Sequence, residues 1–470
     1  MRLTRRKLIG GAGAAALSAA GIYELVDKLG TTPRRMAALA LPPEQHLLDG
    51  VRVVRQDGVA VVVPPLHHRV VTAKIGVTSS TRELRAAQGA LEETLRILER
   101  RYDPTPAGLG VTVAWGLPYF RHYVPDAAAQ HLPLDARASK AKGKRILAVL
   151  DAVRFPSDPG ATILEDNDVA FLLRSDVLAH IDDAATSLFD DLRAFRVTSI
   201  RKGFAGGGFD GGQSLPKKMA MAAGVAGANL IPDTSELFLG FTSTQKQGLG
   251  PPRIANLETL RYSDGGSQGY FLRGTTMHLS HITEDLEAWY INFDFDERAA
   301  TAFRPGLRIK RGAMTVRQGP RDVASAAQNV KDYRRDGRIG HSAAIQTASR
   351  LQHDVVGTDG TRYPKGTAIP HRADFNTLDN PFFWSADPNR DNLQSSAAAG
   401  VHFVVFTPTS DDFHRGRLAM DGVLPDGTRL EFTPRARGQG FNSVLTTTHR
   451  QNFLVPPRRY RSFPLVEMLP

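Results

Sequence analysis

Apolar positions recur along this chain with periods that change from element to element. Val51 to Val63 is rich in valine, lies between the breakers Pro42-Pro43 and Pro64-Pro65, and reads as one or two strands. Leu84, Leu91, Leu95 and Leu98 recur at helical spacing and predict a helix over 81–101, with Thr81 as its cap. Gly110 to Gly116 alternates as a strand, and Asp168 to Leu173 is a very apolar one. Val177, Ile181, Ala184, Ala185 and Leu188 share one face of an amphipathic helix over 177–192, after which Arg196 to Ile200 returns as a strand.

The order strand, helix, strand then comes a second time. Gly269 to Ile282 reads as a strand, Glu284 to Tyr290 as the opening of a helix capped by Thr283, Gly400 to Thr407 as a strong strand and Asp411 to Met420 as a helix. Two such rounds predict an α+β fold of two ferredoxin-like halves. The expected organisation is a leader over 1–30, an N-terminal extension over 31–105, a first half over 106–262 and a second half over 263–470. The stretch 357–400 is polar and rich in Asp, Asn, Pro and Gly. It reads as irregular, and loops of that length in compact domains usually carry function.

Composition narrows the chemistry. The chain has 470 residues, 41% of them hydrophobic and 23% charged, which suits a packed core. It contains no cysteine, so disulfides, thiolate metal sites, cysteine nucleophiles and cysteine-ligated clusters are excluded. Lys and Arg number 59 against 48 Asp and Glu, a net charge of +11. The excess is scattered. The runs Arg334-Arg335-Asp336-Gly337-Arg338 and Arg458-Arg459-Tyr460-Arg461 are too short for a nucleic-acid footprint, and no nucleic-acid partner is expected.

Part of the excess lies at the start. Arg5-Arg6 precede an uncharged, small-residue stretch from Leu8 to Ile22, an arrangement that resembles a twin-arginine export signal. That stretch is short for a membrane span, which needs about 20 residues. Ser18-Ala19-Ala20 is near the right place for cleavage, and Ala38-Leu39-Ala40 is far downstream. The expected partner is the twin-arginine machinery. The expected location is outside the cytoplasm or in the cell envelope, with an uncleaved signal as an anchor in the alternative.

Several motifs fail. Ala205 to Gln213 is glycine-rich but lacks the Lys-Ser/Thr of a P-loop. Asp387 to Asp391 opens like a calcium loop, but Asn392 and Ala398 stand where Gly and Glu are required. His67 and His68 are adjacent, and His278 and His281 are three apart in a strand, so neither pair shares a face. No H-E-x-x-H zinc motif and no G-x-S-x-G elbow occurs.

From about 110 to 460 the order of elements resembles the dye-decolourising (Dyp-type) peroxidase superfamily. The resemblance rests on Asp166 to Asp176, Val197 to Phe204, Leu237 to Gln245, Gly266 to Thr275 with Ile282 to Trp289, Gly340 to Arg350, Val401 to Pro408 with Phe413, and the tail Phe453 to Arg458. It implies a dimeric α+β barrel with haem in the C-terminal half, hydrogen peroxide and an organic donor as substrates, and a homo-oligomer as the expected assembly.

The chain departs from that pattern where the chemistry lies. Ala344 stands at the family's haem-ligating histidine, and Ser243 at the aspartate of its Gly-Phe-x-Asp-Gly motif. A serine cannot act as a base near neutral pH. Arg372 falls where the family has its distal arginine, able to stabilise a developing oxyanion. His341 lies three residues before Ala344. If 338–350 is helical the two share a face, and a shift of about 4.5 Å along the axis would make His341 the proximal haem ligand. Arg372, Ser243 and His371 are the expected catalytic set, with Ser243 or His371 as the altered distal partner. The competing expectation is a protein that kept the scaffold and binds haem, another ligand or a partner without peroxide chemistry.

Overall fold

A computed structural model describes residues 19–29 and 41–470, apart from 57–58, 206, 209–212, 242–256, 261–268, 308, 312–323, 357–359, 361, 380–381, 383–396, 432 and 434. Among the described residues, eight strands close into a barrel. They are β1 (His67–Ile75), β2 (Gly110–Gly116), β3 (Val169–Ser175), β4 (Phe195–Phe204), β5 (Thr275–Glu284), β6 (Phe375–Thr377), β7 (Gly400–Thr407) and β8 (Leu445–Val455).

The first four pair in the order β4-β1-β3-β2, and the last four in the order β8-β5-β7-β6. Both are the antiparallel arrangement of a ferredoxin-like half, and the fold is the expected α+β barrel of two halves. The halves meet at two seams. At one, Phe453 and Leu454 pair with Gly116 and Trp115. At the other, β4 and β6 share the single pair Asn376 and Phe204.

The expected boundary at 106 does not separate the sheet. β1 and the helix Thr81–Arg101 lie within 31–105, yet β1 is one of the two inner strands of the first half, between β3 and β4. The helix packs Leu84, Leu91, Leu95 and Leu98 on the outer face of that half, against Val113, Phe171 and Leu173. Each buried leucine stabilises by about 1.5–3 kcal/mol. Its cap is Ser80 rather than Thr81, with Oγ accepting from Glu83 N at 3.3 Å. The valine-rich run forms a separate hairpin, Arg52–Gln56 with Val59–Val63.

The barrel interior combines an apolar cluster of Val70, Leu172, Leu279, Val404, Phe406 and Phe453 with the buried histidines His46, His68, His281 and His402. The second half turns its outer face to α1 (His341–Ser349) and α2 (Ser410–Met420). Strand phase sets which side chains reach that face. On β5 these are Ser280, Ile282 and Glu284, and on β7 they are Val401, Phe403 and Val405. A register shift between Thr447 and His449 changes the phase of β8. Leu445 and Thr447 face outward before it and Arg450 after it.

Two boundaries of the second half differ from expectation. The strand begins at Thr275 and runs to Glu284, and the following helix, Leu286–Asn292, is capped by Asp285, whose carboxylate accepts from Ala288 N at 2.9 Å. No helix among the described residues is long and apolar enough to cross a membrane.

Candidate functional site

Between the outer face of the second half and helices α1 and α2 lies a cavity of about 210 Å³. His341, Ile345 and Ala348 of α1 line it. The helix starts where it does because Gly340 permits it: a Cβ there would stand 2.3 Å from the carbonyl oxygen of Phe303. Ala344 does not join this lining. It is fully buried against Ile339, Ala419 and Leu424, where α1 meets α2. At 100° per residue, Ala344 and Ile345 flank His341 on opposite sides, and only the Ile345 side faces the cavity. His341 and Ala344 are neighbours on the helix surface, as their spacing predicts, but only His341 turns to the cavity.

His341 stacks obliquely on Phe441, ring centroids 4.5 Å apart. Burial, followed by the charges of Arg372 and Arg417, pushes its imidazole down to about 3. It is neutral at physiological pH, and its buried Nδ1 has no hydrogen-bond partner. A neutral imidazole is the form that ligates metals.

Arg372 lines the same cavity, opposite the helix, on the short strand His371–Arg372 paired with β7. Asp374 holds it two-pronged, Nε to Oδ1 at 3.0 Å and Nη2 to Oδ2 at 2.7 Å. Burial disfavours the guanidinium charge, and Asp374 outweighs that, so the group titrates above its ordinary value.

His371 is not in the cavity. Adjacent residues of a strand point to opposite faces, and His371 points into the barrel, with its ring 5.8 Å from His46 and 5.8 Å from Phe406. Its expected role as a distal partner of Arg372 is corrected by this geometry. Ser243 lies outside the described residues. The segment leading to it does reach the cavity through Leu237 and Leu239. It is held there by Trp289 Nε1 donating to Leu239 O at 2.9 Å and Tyr290 OH donating to Phe238 O at 2.6 Å.

Sequence reasoning missed Glu284. It is the last residue of β5, in phase with Ser280 and Ile282, and it faces the cavity. Burial, and then the nearby Asp374 carboxylate, push its carboxyl up to about 8. Oε2 has no partner. The signal was the phase of the strand, obscured by reading Glu284 as the first residue of a helix. At the other end of the cavity, Arg417 and Arg450 are held by Asp158, and Arg417 also by Asp421. Buried pairs of this kind define geometry more than they add stability.

The remaining histidines divide as the strand period requires. His278 faces outward, stacked on Phe413 at 3.4 Å, with Nδ1 2.6 Å from Asn452 Oδ1. His281 faces inward, its ring 4.8 Å from that of His402. Among the described residues, no group of three or more His, Asp or Glu could hold a metal ion. The calcium-like run Asp387 to Asp391 lies outside the described residues.

The sequence profile of a family of unknown function, DUF7405, matches residues 65–457. The chain belongs to that family. No curated protein sequence matches it. Among solved structures it is similar to the DyP-type peroxidase from Cellulomonas bogoriensis, at 16% identity and a TM-score of 0.51, over 89% of this chain and 96% of that one. It is also similar to a variant of DypB from Rhodococcus jostii RHA1 in complex with heme, at 14% identity and a TM-score of 0.50, over 85% and 95% of the two chains. Likeness at these identities is likeness of fold: this DUF7405 chain has the fold of the dye-decolourising peroxidases.

Proposed function

We propose that this DUF7405 protein binds haem in the cavity of its second half, where His341 would hold the iron and the bound haem would serve to oxidise an organic donor with hydrogen peroxide. The observation that carries the reading is the placement of a neutral imidazole with an unpartnered nitrogen and a guanidinium in the wall of one cavity. The fold neighbour from Rhodococcus jostii, solved in complex with heme, supports it. The donor set fits haem: imidazole for the iron, the arginines Arg372, Arg417 and Arg450 in the lining, and apolar walls of Ile282, Val401, Phe403 and Met420. Cavities for small molecules usually measure about 300–1,000 Å³. At about 210 Å³ this one must widen, and Met420, a flexible side chain, lies in its wall.

Haem, when bound, supplies the oxidation–reduction chemistry with peroxide. The chain's own residues supply charge and protons. Arg372, held by Asp374, presents a fixed positive charge to a developing oxyanion. Glu284 carries a carboxyl proton near neutral pH and can release it within the same cavity. Export by the twin-arginine route is part of the proposal, supported by Arg5-Arg6 and the uncharged stretch after them.

A second reading keeps the ligand and drops the peroxide chemistry. It is favoured by Ala344, which is packed into the contact between α1 and α2 and leaves no family-type ligand facing the cavity. One experiment separates the two. The purified chain, supplied with haem, should give a Soret band that His341→Ala loses. No band overturns both haem readings. A band without peroxide-dependent dye oxidation leaves only the second.

A further inference from the structure

The leader expected over 1–30 overlaps a structural element. Ala19–Leu29 is a helix, here called the N-terminal helix, and one face of it is buried: Ile22, Tyr23 and Val26 are 2%, 3% and 0% exposed. The spacing of these three is that of a single helical stripe. They pack into the cluster that includes Phe204, Leu215, Met219 and Leu378.

The polar contacts are as specific as the apolar ones. Tyr23 OH donates to Lys202 O of β4 at 2.9 Å and lies 3.4 Å from Thr377 Oγ1 of β6. Thr377 Oγ1 donates to the same carbonyl at 2.9 Å. These are the strands of the weaker seam, joined by the one pair Asn376 and Phe204. At its C-terminal end the helix places Asp27 3.0 Å from Nε2 of His67, the first residue of β1. The helix thus touches β1 and β4 of one half and β6 of the other.

We propose that Ala19–Leu29 is a permanent part of the fold, a staple across the seam between the halves, and that removal of the export signal cuts upstream of Ala19. The second clause rests on the export reading, and the first does not. Cleavage after Ala38-Leu39-Ala40 would detach the staple, and cleavage after Ser18-Ala19-Ala20 would cut into its first turn. Small-residue triplets of the cleavage type, Ala12-Gly13-Ala14 and Ala14-Ala15-Ala16, stand upstream of it.

Two truncations of the full chain, lacking residues 1–18 and 1–29, test the staple by thermal melting. The first should melt with the full chain. The second should melt lower, by roughly 5 °C or more, and a synthetic peptide of residues 17–31 should restore the loss. Equal melting of the two truncations overturns the proposal. Should the longer truncation fail to fold, Val26→Asp in the full chain takes its place, and an unchanged melting temperature overturns the proposal equally. The N-terminus of protein recovered from outside the cytoplasm, read by mass spectrometry, should lie at or before Ala19, and a later start overturns the processing clause. Protein found only in the cytoplasm, with Arg5→Lys/Arg6→Lys making no difference, sinks the export reading and leaves the melting result to decide the staple.

Discussion

His341 and Arg372 stand in the wall of one cavity, and the positive charge of Arg372 helps keep the imidazole of His341 neutral. The two come from a helix and a short strand that are 31 positions apart, and the charge of one adds to burial, the larger cause, in favouring the neutral form of the other.

Arg372 is itself held by Asp374, and that pair can be probed directly. Asp374→Asn removes the carboxylate and leaves a buried guanidinium without its countercharge. Breaking a buried pair from one side costs about 3–5 kcal/mol. Replacing both members, as in Arg372→Met/Asp374→Leu, should recover most of that. Urea midpoints of the single and double variants decide the matter. A single variant within about 0.5 kcal/mol of the parent, the range of ordinary surface changes, would show that the pair is not buried as described.

Glu284 should give the protein an alkaline weakness. Its carboxyl is pushed up to about 8 in the fold, well above its ordinary value of 4.5. Between those values the unfolded chain has lost the proton and the native chain keeps it, so stability falls as pH rises. Glu284→Gln has no proton to lose. Its stability should lack this fall, so that its margin over the parent widens across that window and reaches up to a few kcal/mol by pH 8. Parallel pH profiles for the two proteins would refute the burial of a neutral carboxyl.

The acid side is governed by histidines. His68 and His281 are each pushed down to about 3, chiefly by burial, and His402 is lowered well below its ordinary value for the same reason. Below 6.5 the unfolded chain binds protons that the native chain refuses, so stability falls as pH drops toward 3. His281→Asn should soften this dependence, because the unfolded state then gains one proton fewer. The measurement is the proton uptake on unfolding between pH 6 and pH 4, read from the slope of stability against pH.

Much of this fold was written locally in the sequence, and most of the site was not. The helix over 81–101 and the strands 110–116 and 400–407 follow from repeating apolar positions, which need no knowledge of their neighbours. β1 was hidden because His67, His68 and Thr72 interrupt its apolar pattern. Their partners, Asp27, Pro65 O and Ser199, include residues far away along the chain. The alternation of His371 and Arg372 was legible and already implied that the two could not serve one site. The facing of Ala344 toward α2 was not, because helical spacing alone does not say which stripe meets which neighbour. The phase change in β8 was equally hidden, since it depends on how that strand registers with β5.

Gly340 ties the local to the distant. Its backbone is in an ordinary extended conformation, φ −92° and ψ 148°, so any residue could adopt it. The restriction comes from Phe303, whose carbonyl oxygen would lie 2.3 Å from an added Cβ. That carbonyl also accepts the backbone N–H of Ala343 at 3.0 Å in the first turn of α1. Gly340→Ala must therefore push the start of the helix away from Phe303 and stretch that bond, and with it move His341, the next residue. The expected result is a destabilisation of about 1–3 kcal/mol, the range for overpacking, together with weaker ligand binding in the cavity. Gly337→Ala, where an added Cβ meets nothing within 4 Å, is the control: it carries the strain of a φ of +66° but leaves His341 in place. Stability and haem titration of the two variants separate the effects. If both lose stability and only Gly340→Ala loses binding, the position of His341 is set by the fit of Gly340 against Phe303.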